Sequence, residues 1–286
     1  MTVEVKAFFH KASSTWSYVV ADEATRYAAV IDPALDYDAA SGRSGTASAQ
    51  VLVEHLKARR YILDWILETH AHADHLSAAQ FVKQEAGGRI AIGEGIVKVQ
   101  QAFKALYNLG PEFKTDGSQF DHLFKDGETF KIGKLQARVL ATPGHTSDSV
   151  TYVIDDTAFV GDTLFMPDSG TARADFPGGD AGQLFDSIQK ILALPEDTHL
   201  YMCHDYAPGG REHRHETTVW DEREENIHLK GKTSRNDYIR LREGRDKTLP
   251  VPALLLPAIQ VNIRAGRLPE PEANGVVYLK IPVGKF

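Results

Sequence analysis

The chain has 286 residues, of which 42% are hydrophobic and 25% are charged, as in an ordinary globular protein with a sizeable core. The formal net charge of -7 argues against a nucleic-acid surface, and no hydrophobic run is long enough to cross a membrane. The single cysteine, Cys203, excludes an intramolecular disulfide and a cysteine zinc site. No signal or transit segment is evident, so the cytoplasm is the expected location.

Strands are predicted where hydrophobic residues alternate or run together between polar turns, at 3–9, 16–21, 27–31, 61–68, 89–92, 120–124, 128–132, 135–141, 150–154, 158–160 and 198–202. Helical spacing predicts helices at 47–60, 76–84, 97–109, 181–194 and, in a highly charged stretch, 220–242. Residues 37–46 are polar and rich in glycine and serine, which predicts a loop. Two strand-rich halves, each followed by helices, predict an α/β fold of the αββα sandwich type.

Four potential metal ligands fall within six residues directly after the strand predicted at 61–68, namely His70, His72, Asp74 and His75. The motif therefore lies at the carboxyl end of a strand, where open α/β sheets tend to bind ligands. Neutral imidazole and carboxylate groups suit zinc, iron or manganese. We interpret the motif as a metal site, because chance rarely brings four such side chains so close together.

Three later motifs also follow predicted strands: Pro143-Gly144-His145-Thr146, Gly161-Asp162 and His204-Asp205. Pro143 stiffens its turn, and Gly144 allows the backbone to approach the site closely. His145 and Asp162 are candidate ligands, with an ordinary turn as the alternative for each. His204 is either a ligand, a residue that orients ligands, or a hydrogen-bonded core histidine.

Taken in this order, the four motifs resemble those of the metallo-β-lactamase superfamily over roughly residues 3–206. The resemblance implies an αββα sandwich of two mixed sheets flanked by helices, with the metal at the sheet edge. It also implies that residues 1–286 form a single domain with a family-type C-terminal extension from about residue 207.

Within that superfamily the chain looks most like the persulfide dioxygenases, through the segments 161–164, 170–176, 203–206 and 255–262. That resemblance implies one non-haem Fe(II) per chain and the oxidation of glutathione persulfide by O2 and water to sulfite and glutathione. The chain departs from the family pattern by a longer loop at 36–50, by Ala174 and by the Pro-Gly-Gly sequence at 177–179. These departures affect the substrate side more than the metal side.

The same resemblance suggests roles for individual side chains. His70, His145 and Asp162 would bind iron and leave three coordination positions open, which is what O2 activation needs. The remaining metal-side residues would orient ligands and bound water, namely His72, Asp74, His75 and His204. Three residues are expected on the substrate side, namely Arg173, Asp175 and Tyr206. Arg173 suits a carboxylate of the thiol carrier, with a surface salt bridge as the alternative.

A glyoxalase II-like thioesterase that hydrolyses S-acylglutathione with two metals is the alternative enzyme. His70, His72, His145 and Asp162 would form its first site, and Asp74, His75, His204 and the bridging Asp162 its second. A non-catalytic sensor of sulfur species is a third hypothesis, but it predicts lost ligands, and none is missing. A count of bound metal ions distinguishes the two enzymes.

The expected partners are therefore glutathione persulfide and O2, with neither nucleic acid nor membrane, and a homodimer is compatible with the sequence. Cys203 is expected to be a small buried hydrophobic residue rather than a catalytic thiol. The cluster at 211–215 is interpreted as the solvated face of a charged helix. The hydrophobic stretches at 249–257 and 276–282 have no pattern that assigns them a structure.

Overall fold

Two six-stranded sheets pack face to face in the computed structural model, which describes residues 3–231 and 233–285. With strands numbered along the chain, the first sheet contains β1 (Val3–His10), β2 (Thr15–Asp22), β3 (Tyr27–Ile31), β6 (Ile62–Leu67), β8 (Arg89–Gly93) and β9 (His122–Phe124). The second contains β10 (Thr129–Ile132), β11 (Leu135–Ala141), β12 (Val150–Ile154), β13 (Thr157–Phe159), β14 (His199–Tyr201) and β15 (Glu216–Thr218). A small third sheet pairs β4 (Ala34–Asp38) with β5 (Arg43–Gly45) and β7 (Leu76–Ser77).

Helices cover the outer face of each large sheet. The helices on the first sheet are α1 (Ala47–Arg59), α2 (Ala79–Ala86), α3 (Ile96–Leu106) and α7 (Leu255–Asn262). Those on the second sheet are α4 (Ala181–Leu192), α5 (Val219–Glu225) and α6 (Arg235–Asp246). Both large sheets are mixed, since β3, β6, β8 and β9 run parallel, as do β13 and β14, while the other neighbours are antiparallel. The predicted αββα sandwich is confirmed.

Three hydrophobic layers hold the sandwich together. Along β2, Tyr18 and Val20 face the second sheet, whereas Val19 and Ala21 face the helices on the first. Since both faces of such a strand are buried, its sequence is a continuous hydrophobic run rather than an alternation. The parallel pairs β3–β6 and β13–β14 align the carboxyl ends of these strands at one edge of the sandwich, where the predicted metal-side motifs begin.

Two local predictions in the first half of the chain are wrong. The segment at 37–46, predicted as a loop, contains most of a small hairpin of β4 and β5, whose turn is capped by the Asp38 carboxylate. β5 has no hydrophobic residue, and in β4 only Leu35 and Tyr37 alternate with aspartates, which is too short a pattern to mark a strand. The helix predicted at 76–84 begins only at Ala79, because Leu76 and Ser77 pair with β4.

Two predictions in the second half are also wrong. Residues 211–215 do not form a helix but an irregular segment between a 3-10 turn, Pro208–Gly210, and β15. The Arg211 guanidinium is drawn inward to the fully buried Asp205 carboxylate, at 2.6 Å, rather than solvated. The charged stretch at 220–242 is not one helix but two, because Asn226 ends α5 and its amide turns to the Gly170 carbonyl.

The hydrophobic stretch at 249–257 runs into α7, which packs on the first sheet. Residues 276–282 have no regular structure, but Gln260 of α7 exchanges hydrogen bonds with the backbone of Lys280. The boundary at about residue 207 and the single domain stay predictions. The packing of α5 and α6 on one layer and of α7 on the other supports them. Over the described residues, every helix is too short or too polar to span a bilayer.

A buried ion pair in α6 supports the loop that carries Arg173. Arg242 and Asp246 are almost completely buried and lie 2.6 Å apart. Arg242 Nη1 donates to the Thr171 carbonyl at 2.8 Å, and Asp246 Oδ2 accepts from the Ala174 amide at 2.8 Å. The C-terminal part of the chain therefore fixes residues 171–174.

We expect Arg242→Ala to lower the free energy of unfolding by about 3–5 kcal/mol, because it leaves the buried Asp246 carboxylate without its partner. Arg240→Ala on the same helix is the control, since Arg240 is exposed and pairs with exposed Asp237. That variant should change stability by less than about 1 kcal/mol. Urea denaturation of both variants measures the difference, and equal effects would contradict the structural role of the buried pair.

Candidate metal centre

Five histidines and two carboxylates from both sheets meet at one edge of the sandwich. Three of the histidines and Asp74 come from the turn after β6, and the others follow β11, β13 and β14. The residues are His70, His72, Asp74, His75, His145, Asp162 and His204. All except Asp74 are buried, and the Asp74 side chain is 24% exposed. The structure therefore brings together every metal-side residue that the sequence singled out.

Two glycines allow the turns to approach this closely. Gly144 has φ 141°, and a Cβ there would lie 2.3 Å from the Leu184 backbone at the start of α4. Gly161 has φ 54°, and a Cβ there would lie 2.8 Å from the Thr69 side chain. Larger residues at either position would push the neighbouring turn away and displace the side chain that follows the glycine.

The first group of potential ligands consists of His70, His145 and Asp162. Their ligand atoms all lie within 4.8 Å of one another. Asp162 Oδ2 is 3.9 Å from His70 Nε2 and 3.6 Å from His145 Nε2. Two imidazoles and one carboxylate thus lie close enough together to bind one ion, and non-haem iron sites use this set of ligands.

A second group lies beside the first. The ligand atoms of His72, Asp74 and His75 are also within 4.8 Å of one another. His204 Nε2 lies 3.4 Å from Asp74 Oδ2 and 3.3 Å from Asp162 Oδ1. The two oxygens of Asp162 therefore face different groups.

Each histidine has one ring nitrogen held by the protein. His70 Nδ1 contacts Thr69 Oγ1 at 3.1 Å, and His75 Nδ1 contacts the Leu76 carbonyl at 3.0 Å. The remaining three contacts are His72 Nε2 to Asp32 Oδ1 at 2.9 Å, His145 Nδ1 to the Arg173 carbonyl at 2.7 Å, and His204 Nδ1 to Thr15 Oγ1 at 3.3 Å. Such contacts fix the orientation of histidines that bind metals.

The opposite nitrogens are free to bind a metal ion. Five buried atoms at the centre have no hydrogen-bond partner among the described residues, namely His70 Nε2, His72 Nδ1, His75 Nε2, His204 Nε2 and Asp162 Oδ1. Buried polar atoms normally find a partner, because leaving one unsatisfied costs about 1–3 kcal/mol. Imidazole and carboxylate donors are also the types that suit zinc, iron or manganese. The residues therefore fit a divalent transition metal.

The pKa values of the buried histidines also fit a bound cation. Burial lowers the pKa of His75 to about 3 and, with the neighbouring histidines, holds the pKa of His70 well below its usual value. Both rings are therefore neutral at pH 7, as metal ligands must be. Burial also lowers the pKa of His204, but Asp162 and Asp74 outweigh it and raise that pKa well above its usual value. The carboxylates thus favour positive charge, which a bound cation would supply.

Sequence reasoning missed two acidic residues behind the centre. Asp32 accepts hydrogen bonds from the Thr69 amide at 2.7 Å and the Thr69 hydroxyl at 2.8 Å, in addition to its contact with His72. Glu68 lies 3.5 Å from the same His72 nitrogen and accepts from Ser77 Oγ. The sequence signal that could have found Asp32 is its position, because it directly follows β3, the parallel neighbour of β6.

Asn262, at the end of α7, was missed as well. Its Nδ2 donates to the carbonyls of His72 and His75 at 2.7 Å and 2.8 Å, and its Oδ1 accepts from the Ser77 amide at 2.8 Å. Asn262 is buried, so these bonds are shielded from water. The C-terminal helix therefore holds the backbone of the turn that carries four of the metal-side residues.

Arg173 and Asp175 lie together, next to His145. The Arg173 guanidinium makes a bidentate pair with Asp175, at 2.6 Å and 2.8 Å, and donates to the Pro250 carbonyl at 2.7 Å. Phe176 packs edge-on against the His145 ring, with centroids 5.1 Å apart. Tyr206 is exposed and stacks on His204, with ring centroids 5.8 Å apart.

Comparisons with known proteins agree with this geometry. Residues 10–204 match the family model described as the metallo-beta-lactamase superfamily. A beta-lactamase hydrolase-like protein of Agrobacterium fabrum is 56% identical over 98% of this chain and 64% of that protein, so the chain spans less than two thirds of that relative. A protein of Dictyostelium discoideum named glyoxylase B2 is 49% identical over 98% of this chain and 97% of that protein.

The chain is also similar, at lower sequence identity, to a second group of proteins. The human mitochondrial persulfide dioxygenase ETHE1 is 29% identical over 92% of this chain and 88% of that protein. The crystal structure of ETHE1 from Myxococcus xanthus superposes with a TM-score of 0.74 at 29% identity and covers 93% of this chain and 100% of that chain.

We expect Asn262→Ala to weaken metal binding by about 10–100-fold, as is typical when a group that orients metal ligands is removed. Asn262→Asp keeps the acceptor for the Ser77 amide but cannot donate to the carbonyls of His72 and His75, so it should weaken binding as well. Metal retention during dialysis against a chelator measures the effect. Wild-type retention in Asn262→Asp would show that the two donated hydrogen bonds do not hold the centre together.

Proposed function

This chain belongs to the metallo-β-lactamase superfamily, and we propose that within it the protein is a persulfide dioxygenase. The proposed reaction converts glutathione persulfide, O2 and water to glutathione, sulfite and two protons. Iron(II) held by His70, His145 and Asp162 would supply open coordination positions for O2 and for the persulfide sulfur. One Fe(II) per chain is the proposed cofactor.

The observation that carries this proposal is the convergence of His70, His145 and Asp162 on one another. The ligand atoms of these three residues lie within 4.8 Å of one another. The His72 ring lies beside His70, with centroids 4.1 Å apart, but its Nε2 is held by Asp32 Oδ1 at 2.9 Å. A two-metal hydrolase would need His72 together with His70 and His145. The close group of His70, His145 and Asp162 therefore supports two histidines and one carboxylate as the ligand set.

The residues around these three proposed ligands orient them and exclude water. Thr69 and the Arg173 carbonyl fix the rings of His70 and His145. Phe176 covers one edge of the His145 ring. His70 and His145 are almost completely buried, so a substrate at their free nitrogens would have little contact with bulk water. In such a site the protein contributes position and electrostatics, while the metal carries the redox step.

The similarity to persulfide dioxygenases supports the same conclusion. The human relative of that name aligns with 92% of this chain, and the bacterial ETHE1 structure superposes on 93% of it. Similarity of that extent goes beyond the segment at 10–204 that is common to the superfamily. It therefore includes residues of the C-terminal part, which contributes Asn262 and α6 to the centre.

We also propose that Arg173 contacts a carboxylate of the thiol carrier. Three of its N–H groups are engaged by Asp175 and the Pro250 carbonyl, and a guanidinium has five. Asp175 would therefore hold the guanidinium in a fixed direction and leave two donors for the substrate. Tyr206, exposed beside His204, is the proposed third contact on the substrate side.

The proposed location is the cytoplasm, and a homodimer is a proposed assembly.

The second candidate is a dinuclear thioesterase that hydrolyses S-acylglutathione. The specific observation in its favour is that Asp162 presents Oδ2 to His145 and Oδ1 to His204, at 3.6 Å and 3.3 Å. A carboxylate in this position could bridge two metal ions. Two such ions would supply an activated water for hydrolysis. The Dictyostelium relative named glyoxylase B2 also favours this candidate.

The direct test is O2 uptake by the iron-loaded protein with glutathione persulfide. We expect O2 consumption and sulfite in equal amounts, because each turnover inserts one O2 into one sulfur atom. S-Lactoylglutathione serves as the control substrate and should be hydrolysed slowly, if at all. Rapid hydrolysis of the thioester without O2 uptake on the persulfide would overturn the proposal and favour the thioesterase.

Substitution of individual histidines separates the two ligand schemes. His145→Ala and Asp162→Ala should abolish both stable iron binding and O2 uptake, since each removes a proposed ligand. His72→Ala should weaken iron binding by no more than about 10–100-fold, as expected for a group that supports the ligands. His122→Ala is the control, because His122 pairs with Glu128 on the surface. Loss of iron from His72→Ala equal to that from His145→Ala would favour the two-metal scheme.

A further inference from the structure

We propose that a hydrogen-bonded chain of His10, Ser13 and Thr15 carries protons from the metal centre to the protein surface beside Asp36. These residues belong to β1, β2 and the turn between them, and none of them is part of the ligand motifs. The inference rests on the proposed function, because the proposed reaction releases protons. Hydrolysis of a thioester also releases a proton.

The three side chains form an unbroken path. His10 Nδ1 lies 2.6 Å from Ser13 Oγ, and Ser13 Oγ lies 2.6 Å from Thr15 Oγ1. Thr15 Oγ1 reaches the metal centre, at 3.2 Å from Asp74 Oδ2 and 3.3 Å from His204 Nδ1. Each step is within hydrogen-bonding distance, so no additional water is needed to connect His10 with the centre.

The turn between β1 and β2 is fixed onto the metal centre by its backbone. The Ser14 carbonyl accepts from the Asp205 amide at 3.2 Å, and the Trp16 amide donates to the Cys203 carbonyl at 2.7 Å. Ser14 has φ 55°, a left-handed conformation that is unfavourable for a serine. Residues held in such conformations are often found at functional sites, where the surrounding contacts maintain them. Here the conformation brings Thr15 next to His204.

The outer end of the path lies beside a partly exposed carboxylate. His10 Nε2 is itself buried and has no hydrogen-bond partner among the described residues. His10 is only 7% exposed, but its Nε2 lies 3.3 Å from Asp36 Oδ1, and the Asp36 side chain is 33% exposed. A cavity of about 380 Å³ opens beside His10 and is lined also by Phe8, Ser48 and Val51. The Ser48 amide and hydroxyl hold the Asp36 carboxylate in place, at 2.9 Å and 2.5 Å.

The side chains can transfer a proton along this path in a simple way. A hydroxyl is both a donor and an acceptor, so Ser13 and Thr15 can reverse the direction of their hydrogen bonds. A proton released at the centre enters at Thr15 Oγ1 while the Thr15 proton moves to Ser13 Oγ and the Ser13 proton moves to His10 Nδ1. The imidazolium then passes its Nε2 proton to Asp36 Oδ1, 3.3 Å away, and the partly exposed Asp36 carboxyl group releases that proton to solvent. Rotation of the two hydroxyls and exchange of the imidazole proton with water restore the starting state.

The proposed reaction supplies the protons. One persulfide RSSH, one O2 and one water give RSH, sulfite and two protons, so atoms and charge balance. Hydrolysis of a thioester likewise releases one proton as the carboxylate forms. The ligand histidines are buried, whereas the Asp74 side chain is 24% exposed, so the hydroxyl path is an exit for these protons in addition to the Asp74 side of the centre. A path through hydroxyl groups avoids opening the centre to solvent.

Three variants interrupt the path at different points, namely His10→Ala, Ser13→Ala and Thr15→Val. We expect each to lower kcat by about tenfold in weakly buffered solution, a modest part of what positioned proton transfer contributes. KM and iron content should remain near wild type for His10→Ala and Ser13→Ala, which do not touch the centre.

Added imidazole should restore the kcat of His10→Ala, because a diffusing base can replace the missing side chain. His122→Ala, which removes another histidine of a histidine–carboxylate pair, is the matched control and should behave as wild type.

A purely structural role for His10 and Asp36 predicts a different result. Loss of a packing contact would reduce stability or iron content, and imidazole would not correct it. Wild-type kcat in both His10→Ala and Ser13→Ala, or a deficit that no small base restores, would overturn the proton path. If His10→Ala fails to fold, Ser13→Ala decides the question through kcat and the rate of proton release, followed with a pH indicator.

Failure of the proposed function would give a different pattern. In that case the wild type itself would not consume O2 with glutathione persulfide. The same variants would then be compared on S-lactoylglutathione, whose hydrolysis also requires proton release, with the same expected loss of kcat and the same rescue by imidazole.

Discussion

Five buried imidazole rings, each with one nitrogen held by the protein and the other directed at a common centre, are the constraint on which this structure depends. Burying polar atoms without a partner is unfavourable, and a bound cation would offset that cost at the nitrogens that the protein leaves free. Asp162 and Asp74 add negative charge to the same space. The fold therefore maintains a group of side chains that a bound metal ion would stabilise.

The parts of the chain that hold this arrangement are spread over the whole molecule. Asp32, at the end of β3, supports the ring of His72 from behind. Asn262 fixes the backbone of the turn after β6, and α6 fixes the segment whose Arg173 carbonyl orients His145. The C-terminal helices thus contribute to the centre without supplying a proposed ligand. This arrangement connects the stability of the C-terminal part to the affinity for the metal.

The sequence contained most of the metal centre but little of what surrounds it. His70 to His75 are neighbours in the chain, and His145, Asp162 and His204 each follow a strand, so local patterns suffice to find them. Asp32, Thr15 and Asn262 contact the centre across separations of 40, 59 and 190 residues, which only tertiary packing brings together. The hairpin at 34–45 was missed for a different reason, because β5 has no hydrophobic residue and the alternation in β4 is limited to Leu35 and Tyr37. The pairing of Arg173 with Asp175 was open from the sequence, because an arginine suits a substrate carboxylate and a neighbouring aspartate equally well.

The number of metal ions that the active protein needs is the central claim, because the same seven side chains could hold one or two. The most direct measurement is an anaerobic titration of the metal-free chain with iron(II), following bound iron and O2-dependent activity together. The account predicts that activity with glutathione persulfide reaches its maximum at one iron per chain. Activity that rises only with a second equivalent of metal, or a fully active protein with two zinc ions, would contradict it.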